Sequence, residues 1–547
     1  MEMRRCVAGM LAVAMCVTVM GGSAEAAAAA KPKLSNKKLT LTVGKAKTLK
    51  VTKAKGAKLT WKTSKKKVAV VKKSGKYGGK VTAKAKGSAV ITCKVKGKKT
   101  YSLKCKVTVK KKTIVPKKTA APPTQAPANT TTAVPGGNSP AATAPAVDEP
   151  GLKPDLTSNS ILKRYQGIFE HMGSSLNYNG WRGNNDLRDE ATMKFVKEHF
   201  NSFTLEDEMK PTGVLGQWDH ETISKEEALE LGYIIPDNYT EDRVPKLNLA
   251  TLDRIVEVAH FYGIQMRAHV LMWHQQTPDW FFTMNYTGGK VVSPEVMDAR
   301  LEFYVRTVMD HLLKQEQRVA GKAGSIIYAW DVTNEYLHRD NQPGSKTWMT
   351  VYGDMGLEPT YVKNAFRFAY DTLKQYGVQD TVTLFYNDYD TYFCSDDLVS
   401  LVNYINAGEE AKICGGIGMQ THVDVDRPTL DEYGAAMDKF LATGLEIQVT
   451  EMDVTINFDP DDANVVQNKG QTNEDQAKFV GDLMKLIVTK QKQRDKAVNP
   501  KGITGITIWG LCDTYSWRGN FKPLLFGKDI NDPKPSFQAF LDAAKLW

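Results

Sequence analysis

Residues 328–340 read YAWDVTNEYLHRD. Tyr328, Ala329, Trp330 and Val332 are strand formers. The apolar pattern then stops at Asn334 and Glu335. A second apolar run, EIQVTEMDV at 446–454, reaches a carboxylate at Glu451 in the same way. Unpaired polar groups are costly to bury, so a core strand that ends on an amide and an acid calls for a polar rim there. On this reading Trp330, Val332 and Thr333 are packing residues, and the two glutamates carry the chemistry.

Similar runs recur around these two. They are GIFEHMGSS (167–175), NSFTLE (201–206), QMRAHVLMW (265–273), TVTLFYNDY (381–389), GIGMQTHVD (416–424) and GITIWGL (505–511). Helical stretches such as LATLDRIVEVAHFYG and TYVKNAFRFAYDTLKQYG lie between them. Unbroken apolar strands alternating with helices predict a parallel sheet covered by helices. Eight such units predict an α/β fold, a (β/α)8 barrel over 155–547.

Active sites of such barrels sit at the C-terminal ends of the strands. Those ends carry Glu206 and Asp207, then His269, Trp273 and His274, then Asn334 and Glu335. Asn387, Asp388 and Tyr389 follow, then Gln420 and His422, Glu451, and finally Trp509 and Asp513. Aromatic faces stack on sugar C–H surfaces, and amides and carboxylates bind hydroxyls, so the rim reads as a carbohydrate site. Strands four and seven lie on facing walls, which would bring Glu335 and Glu451 to about 5–5.5 Å, the separation of a retaining pair. One acid would protonate the leaving oxygen while the other, ionised, attacks.

The N-terminal part is different in texture. Arg4 and Arg5 precede a short uncharged apolar run and the sequence Ala24-Glu25-Ala26, the pattern of a signal peptide over 1–26 and hence of a secreted, extracellular protein. The run is short for a membrane anchor. Residues 33–112 alternate apolar and polar with Gly and Lys at the turns, which predicts a small sandwich of antiparallel strands. Residues 113–154 are a Pro/Ala/Thr-rich linker. The chain's formal charge is +12, yet 31–112 holds 29 Lys and no acid. The flanking segments 1–30 and 113–150 are each neutral, so 151–547 carries −17. That acidity argues against nucleic acid as the barrel's substrate. The lysines are open to two readings: a solubilising surface, or adhesion to an anionic cell-wall polymer or acidic plant polysaccharide. Cys93 and Cys105 flank a hairpin whose span would allow a cross-strand disulfide without establishing one. Cys394, Cys414 and Cys512 read as buried thiols.

At the rim residues a family resemblance becomes specific. RAHVLMWHQQTPDWF, WDVTNE, NDY, GIGMQTHV, VTEMDV, WGLCDTYSWR and PLLF…PKPSF occur in the order found in glycoside hydrolase family 10, the retaining endo-β-1,4-xylanases, and the chain resembles that family over nearly the whole barrel. The order of the 59–95 strands resembles bacterial Ig-like domains. The first resemblance implies xylan or xylo-oligosaccharide as substrate, Glu335 as general acid/base and Glu451 as nucleophile. It implies Asn334 as the contact to the sugar 2-hydroxyl, with His422 holding Glu451. Glu206, Lys210, His269, Trp273 and Gln276 would hold the non-reducing side of the cut, with Trp509 and Trp517 as its aromatic wall. Tyr389 would lie on the leaving-group side, and Gln420 and Asp453 would support the pair.

The chain departs from the family pattern in places. Asp207 stands where the family has Asn, so it accepts hydrogen bonds there without donating. Pro211 replaces a Trp, the 211–244 loop is long, and Gly527 replaces an Asp. No cofactor is implied. No metal is expected either: H-E-x-x-H is absent and the acid-rich 387–397 run lacks the spacing of a calcium loop. The remaining expectations are no membrane contact after signal removal and a monomer. The alternatives are a β-1,4-glucanase or cellobiosidase on the same barrel, and a non-catalytic polysaccharide-binding surface protein.

Overall fold

Eight parallel strands close on themselves in the C-terminal part of the chain. They are β1 (His171–Leu176), β2 (Ser202–Leu205), β3 (Gln265–Trp273), β4 (Ile327–Asn334), β5 (Thr383–Asp388), β6 (Gly416–Met419), β7 (Glu446–Thr455) and β8 (Ile503–Ile508). Each pairs in parallel with the next, and β8 pairs with β1, so no edge remains. The structure is a computed structural model. It describes residues 31–42, 46–52, 57–74, 77–96, 100–110, 152–180, 182–217, 220–339, 346–458, 466–467 and 469–547. The signal-peptide segment 1–26 and linker residues 113–151 lie outside these. The chain divides into two compact units, the barrel and an N-terminal β unit.

The barrel strands are buried on both faces, which is why they read as apolar runs without alternation. Helices cover the outside. The 27-residue helix Pro294–Ala320 has Pro at its first turn and ends at Gly321, whose φ of 78° suits a residue without Cβ. Inside, the barrel is filled by polar as well as apolar side chains. Arg267 of β3, wholly buried, donates through Nε to Asp331 Oδ2 of β4 at 3.1 Å and through Nη1 to Gln448 Oε1 of β7 at 2.8 Å. Its guanidinium lies 4.1 Å from the centre of the Phe385 ring of β5. One cation thus joins four staves.

The expected single strand 416–424 is two pieces. Pairing stops at Met419, Thr421 takes a left-handed φ of 65°, and His422–Asp424 resumes beside Asp453–Thr455. The break lets Gln420 reach across to β4 while His422 turns onto β7. Within the 211–244 insertion Thr222–Ser224 pairs antiparallel with Arg243–Pro245. The insertion is fastened to the segment after β3. The His220 ring stacks on Trp280 at 4.0 Å, Trp280 Nε1 donates to Gly216 O, and buried Arg300 grips Glu241.

The N-terminal unit comprises two four-stranded sheets around a core that includes Leu39, Leu49, Val81, Ile91 and Val107. One pairing corrects the antiparallel expectation: Lys38–Thr42 runs parallel to Lys106–Lys110. The preceding residues Lys33–Leu34 pair in the other sheet, so the chain crosses between sheets at 35–37 and enters the second in the parallel sense. Cys93 and Cys105 are free buried thiols. The register opposes Cys93 to Leu103 and Cys105 to Ile91, making the sulfurs diagonal neighbours, about 7–8 Å apart at Cα rather than facing. Cys414 and Cys512 are buried free thiols, and Cys394 is half-buried. Among the described residues no helix is long and apolar enough to cross a membrane.

Removing Arg267 would strand the buried Asp331 carboxylate. Arg267→Ala should cost about 3–5 kcal/mol, read as a lowered urea midpoint of the barrel transition.

Candidate active site

Strict alternation would send Asn334 and Glu335 to opposite faces of β4. The strands avoid this by breaking register near their C-terminal ends: between His269 and Met272 in β3, Asp331 and Thr333 in β4, and Val449 and Met452 in β7. Such irregularities re-aim side chains. Glu335 itself adopts a left-handed backbone, φ 58° and ψ 34°, an uncommon conformation for a residue with a Cβ. Both glutamates are buried on the rim as a result.

Two amides tie them together. Gln420 Nε2 donates to Glu335 Oε1 at 3.0 Å and to Asn334 Oδ1 at 3.1 Å. Asn387 Nδ2 donates to Glu451 Oε1 at 2.7 Å and to the same Asn334 Oδ1 at 2.8 Å. Thr450 Oγ1 donates to Asn387 Oδ1 at 2.6 Å, which fixes that amide's orientation. Asn334 therefore spends its carbonyl on the network. Its NH2 donates no hydrogen bond among the described residues, so it is available to a ligand hydroxyl.

The two acids differ in what surrounds them. Glu335 Oε2 accepts from Trp273 Nε1 at 2.7 Å and Gln275 Nε2 at 3.3 Å. Burial above all pushes its carboxyl up to about 7, helped by the charges of Asp388 and Glu451 against the hydrogen bond from Gln420. Burial also works against ionisation of Glu451, but it is outweighed by the hydrogen bond from His422 and by nearby positive charge, including Lys210, and the group lies below the usual range. His422 Nε2 is 3.2 Å from Glu451 Oε2, and its Nδ1 is 2.8 Å from Asp453 Oδ2. Burial opposes its charge, yet Asp453 and Glu451 push it up to about 9. Asp453 is held in turn by Trp517 Nε1 and Arg518 Nη1, each at 3.0 Å. Around neutral pH the arrangement is a protonatable Glu335 beside an ionised Glu451 clamped by an imidazolium.

The other expected residues gather around this pair. Lys210 Nζ lies 5.0 Å from the Trp273 ring and 6.0 Å from Trp509. His269 packs edge-on to Trp509 at 5.7 Å, its Nδ1 3.0 Å from Asp331. Trp517 packs 5.0 Å from His422 and is 39% exposed, leaving ring surface for a ligand. Glu206 accepts from Asn177 Nδ2 at 2.6 Å and Arg182 Nη1 at 2.8 Å. Burial raises its carboxyl, and neighbouring Asp207 adds to this. Asp207 is half-buried, its carbonyl accepting from Lys210 N. Tyr389 stacks on His338 at 3.9 Å, and His338 Nδ1 is 2.7 Å from Asp388.

Gln276 faces the insertion instead, its backbone and side-chain oxygens accepting from Thr212. Gln275 is the one that reaches Glu335. Sequence reading had no local signal to choose between these adjacent glutamines. It also placed Asn387 only among the rim residues, and overlooked Asn177, Arg182 and Arg518.

This is the build of a hydrolase that works between two carboxylates. The profile described as Glycosyl hydrolase family 10 matches residues 160–543, and the chain belongs to that family. It is 40% identical over 390 residues to endo-1,4-beta-xylanase A of Butyrivibrio fibrisolvens, covering 71% of this chain and 85% of that one. It is 29% identical over 398 residues to endo-1,4-beta-xylanase A of a Caldicellulosiruptor species, of whose length it spans 48%. Among solved structures, the CBM22-1 and GH10 modules of Clostridium thermocellum endo-1,4-beta-D-xylanase 10B, complexed with xylohexaose, match at 26% identity. The TM-score is 0.54, over 72% of this chain and 69% of that one. A GH10 xylanase from termite gut containing a bacterial Ig-like domain matches at 21% identity and TM-score 0.50, over 93% of this chain and 98% of that one, a likeness of fold.

Carboxyl-carbon NMR should find Glu335 titrating near 7 and Glu451 below the usual carboxylate range. Glu451→Gln removes a like charge beside Glu335, so the Glu335 midpoint should fall, and removes an anion beside His422, so the imidazolium should deprotonate below about 9.

Proposed function

We propose that this family 10 hydrolase is a secreted endo-1,4-β-xylanase that cuts internal β-1,4-xylosidic bonds with retained configuration. The observation that carries the reading is the amide chain Gln420–Asn334–Asn387, which holds one carboxyl protonatable and another ionised on either side of a free amide donor. The xylanase names of relatives at 29–40% identity support the substrate. Secretion rests on the N-terminal sequence pattern.

In the first step Glu335 gives its proton to the glycosidic oxygen while Glu451 attacks the anomeric carbon. The leaving chain departs as an alcohol and a glycosyl ester forms on Glu451. The ester carries no charge, so Glu335 loses a like-charged neighbour and becomes a stronger acid; its conjugate base then takes a proton from water. Water attacks the anomeric carbon, Glu451 leaves as carboxylate, and Glu335 is reprotonated. A carboxylate whose basicity is lowered by His422 is a good leaving group in this step. Asn334 Nδ2 donates to the 2-hydroxyl, a contact that strengthens as the transition state forms. The tryptophans and Lys210 hold the sugars on the non-reducing side.

Proton NMR of early products from xylan should show the β-anomer first, and chromatography should show a spread of internal fragments. Release of the α-anomer first would overturn retention. Glu451→Ala should lower kcat on the order of 10⁴-fold or more with the thermal transition unchanged. Normal xylan turnover by that variant would remove Glu451 from the nucleophile's role.

A further inference from the structure

The N-terminal sheet built from Lys38–Thr42, Thr100–Lys110, Gly87–Lys96 and Lys58–Thr63 presents an outer face unlike an ordinary protein surface. Inward positions bury Leu39, Ile91, Val107 and Val109, so alternation sends the intervening residues to solvent. Those described as exposed or half-exposed are Lys, Thr or Ser, with Val90 the exception. Eight lysines lie on this face, against four, Lys33, Lys50, Lys72 and Lys80, on the outer face of the other sheet. The register sets Lys38 directly opposite Lys106 and Lys58 directly opposite Lys96. Lys94 and Lys104 belong to the neighbouring rows between them.

Like charges facing each other across a sheet are destabilising. A surface selected for solubility interleaves both signs and avoids this cost. Here residues 31–112 contain no Asp or Glu, and among the described residues no lysine of the unit joins an ion pair with a carboxylate. A bound polyanion would supply the missing countercharge. With strands about 4.8 Å apart and alternate residues about 6.8 Å apart, the face is a dense lattice of cations.

We propose that this face binds an acidic polysaccharide bearing uronic-acid carboxylates. Three observations select that class. No large apolar side chain of the unit is exposed among the described residues, so neither stacking on neutral sugars or bases nor insertion into a bilayer is provided for. The unit has Lys but no Arg, and so lacks the planar fork that suits phosphate and nucleic acid. The barrel segment, at −17, would itself be repelled by acidic wall polymers, and the 29 lysines offset that repulsion. The choice of a polysaccharide rests on the xylan-cutting reading. Holding the chain on an acidic matrix would raise the barrel's effective concentration at its substrate.

Polygalacturonate beads should retain the full chain at about 50 mM salt and release it near 300 mM, because the contact is electrostatic. K94Q/K104Q/K106Q should weaken retention about tenfold, and K50Q/K72Q/K80Q, losing the same charge from the other sheet, less than about threefold. Both triples should keep the wild-type thermal transition and the wild-type rate on a soluble neutral xylo-oligosaccharide. No retention at low salt, or equal loss from the two triples, would overturn the proposal. Tighter capture by polyphosphate beads or phosphatidylglycerol vesicles at matched charge and salt would overturn the carboxylate class. A chain that is retained as described but releases no sugar from xylan fails the hydrolase reading and leaves the binding face intact.

Discussion

The site depends on one carbonyl oxygen. Asn334 Oδ1 accepts from both Gln420 and Asn387, and each of those amides gives its other hydrogen bond to a different glutamate. The spacing of Glu335 and Glu451 is therefore set by side chains from β4, β5 and the end of β6, and not by two flexible acids finding their own positions. Because the amides donate, the carboxyl oxygens they touch stay acceptors. Glu335 Oε2 likewise accepts from Trp273 and Gln275, so a proton on Glu335 points away from these donors, toward a ligand. The bonds from Gln420 and Asn387 take up the Asn334 carbonyl and leave its NH2 for a ligand. Positioning of the acids and recognition of the sugar share one network.

Electrostatics divides the labour that geometry sets up. Glu335 is buried with an indole and amides for company, and two neighbouring carboxylates, Asp388 and Glu451, disfavour its ionisation. Glu451 is equally buried but touches His422, which is held charged between it and Asp453. Arg518 and Trp517 hold Asp453 in place. The clamp thus runs back through three residues of the segment after β8 and the end of β7, and the ionised state of Glu451 is a property of that whole chain of contacts.

The barrel was legible because its strands are buried on both faces and separated by capped helices, signals that survive in local composition. The two glutamates were legible because they interrupt those runs. What composition could not carry was side-chain contact between distant strands. Asn387 looked like any rim amide until its bonds to Asn334 and Glu451 were seen. Gln275 and Gln276 are indistinguishable by type, and only the turn after β3 decides which meets Glu335 and which meets Thr212. The break at Thr421 was hidden because Thr is a good strand former that here adopts a left-handed φ. The parallel pairing in the sandwich was hidden because alternation reports which face is buried and not which way the neighbour runs. Insertion 211–244 was seen as extra length, but its anchoring by Arg300 and Trp280 involves residues far along the chain.

The polar layer inside the barrel bears on the chemistry above it. Asp331 accepts from Arg267 and meets His269, and it lies on the strand that delivers Asn334 and Glu335. Glu335's left-handed backbone is costly for a residue with a Cβ and persists only where its surroundings over-determine it. Those surroundings are β4's register break, the hydrogen bond from Glu335 N to Asn387 O at 2.9 Å, and the buried Arg267–Asp331 pair that holds β4 against β3 and β7. A buried ion pair adds little net stability compared with apolar packing, but it is intolerant of displacement. That intolerance suits a strand whose last two residues must be held within a fraction of an ångström of their working positions. The barrel's charged interior is thus better understood as the foundation of the catalytic rim than as a contribution to folding energy.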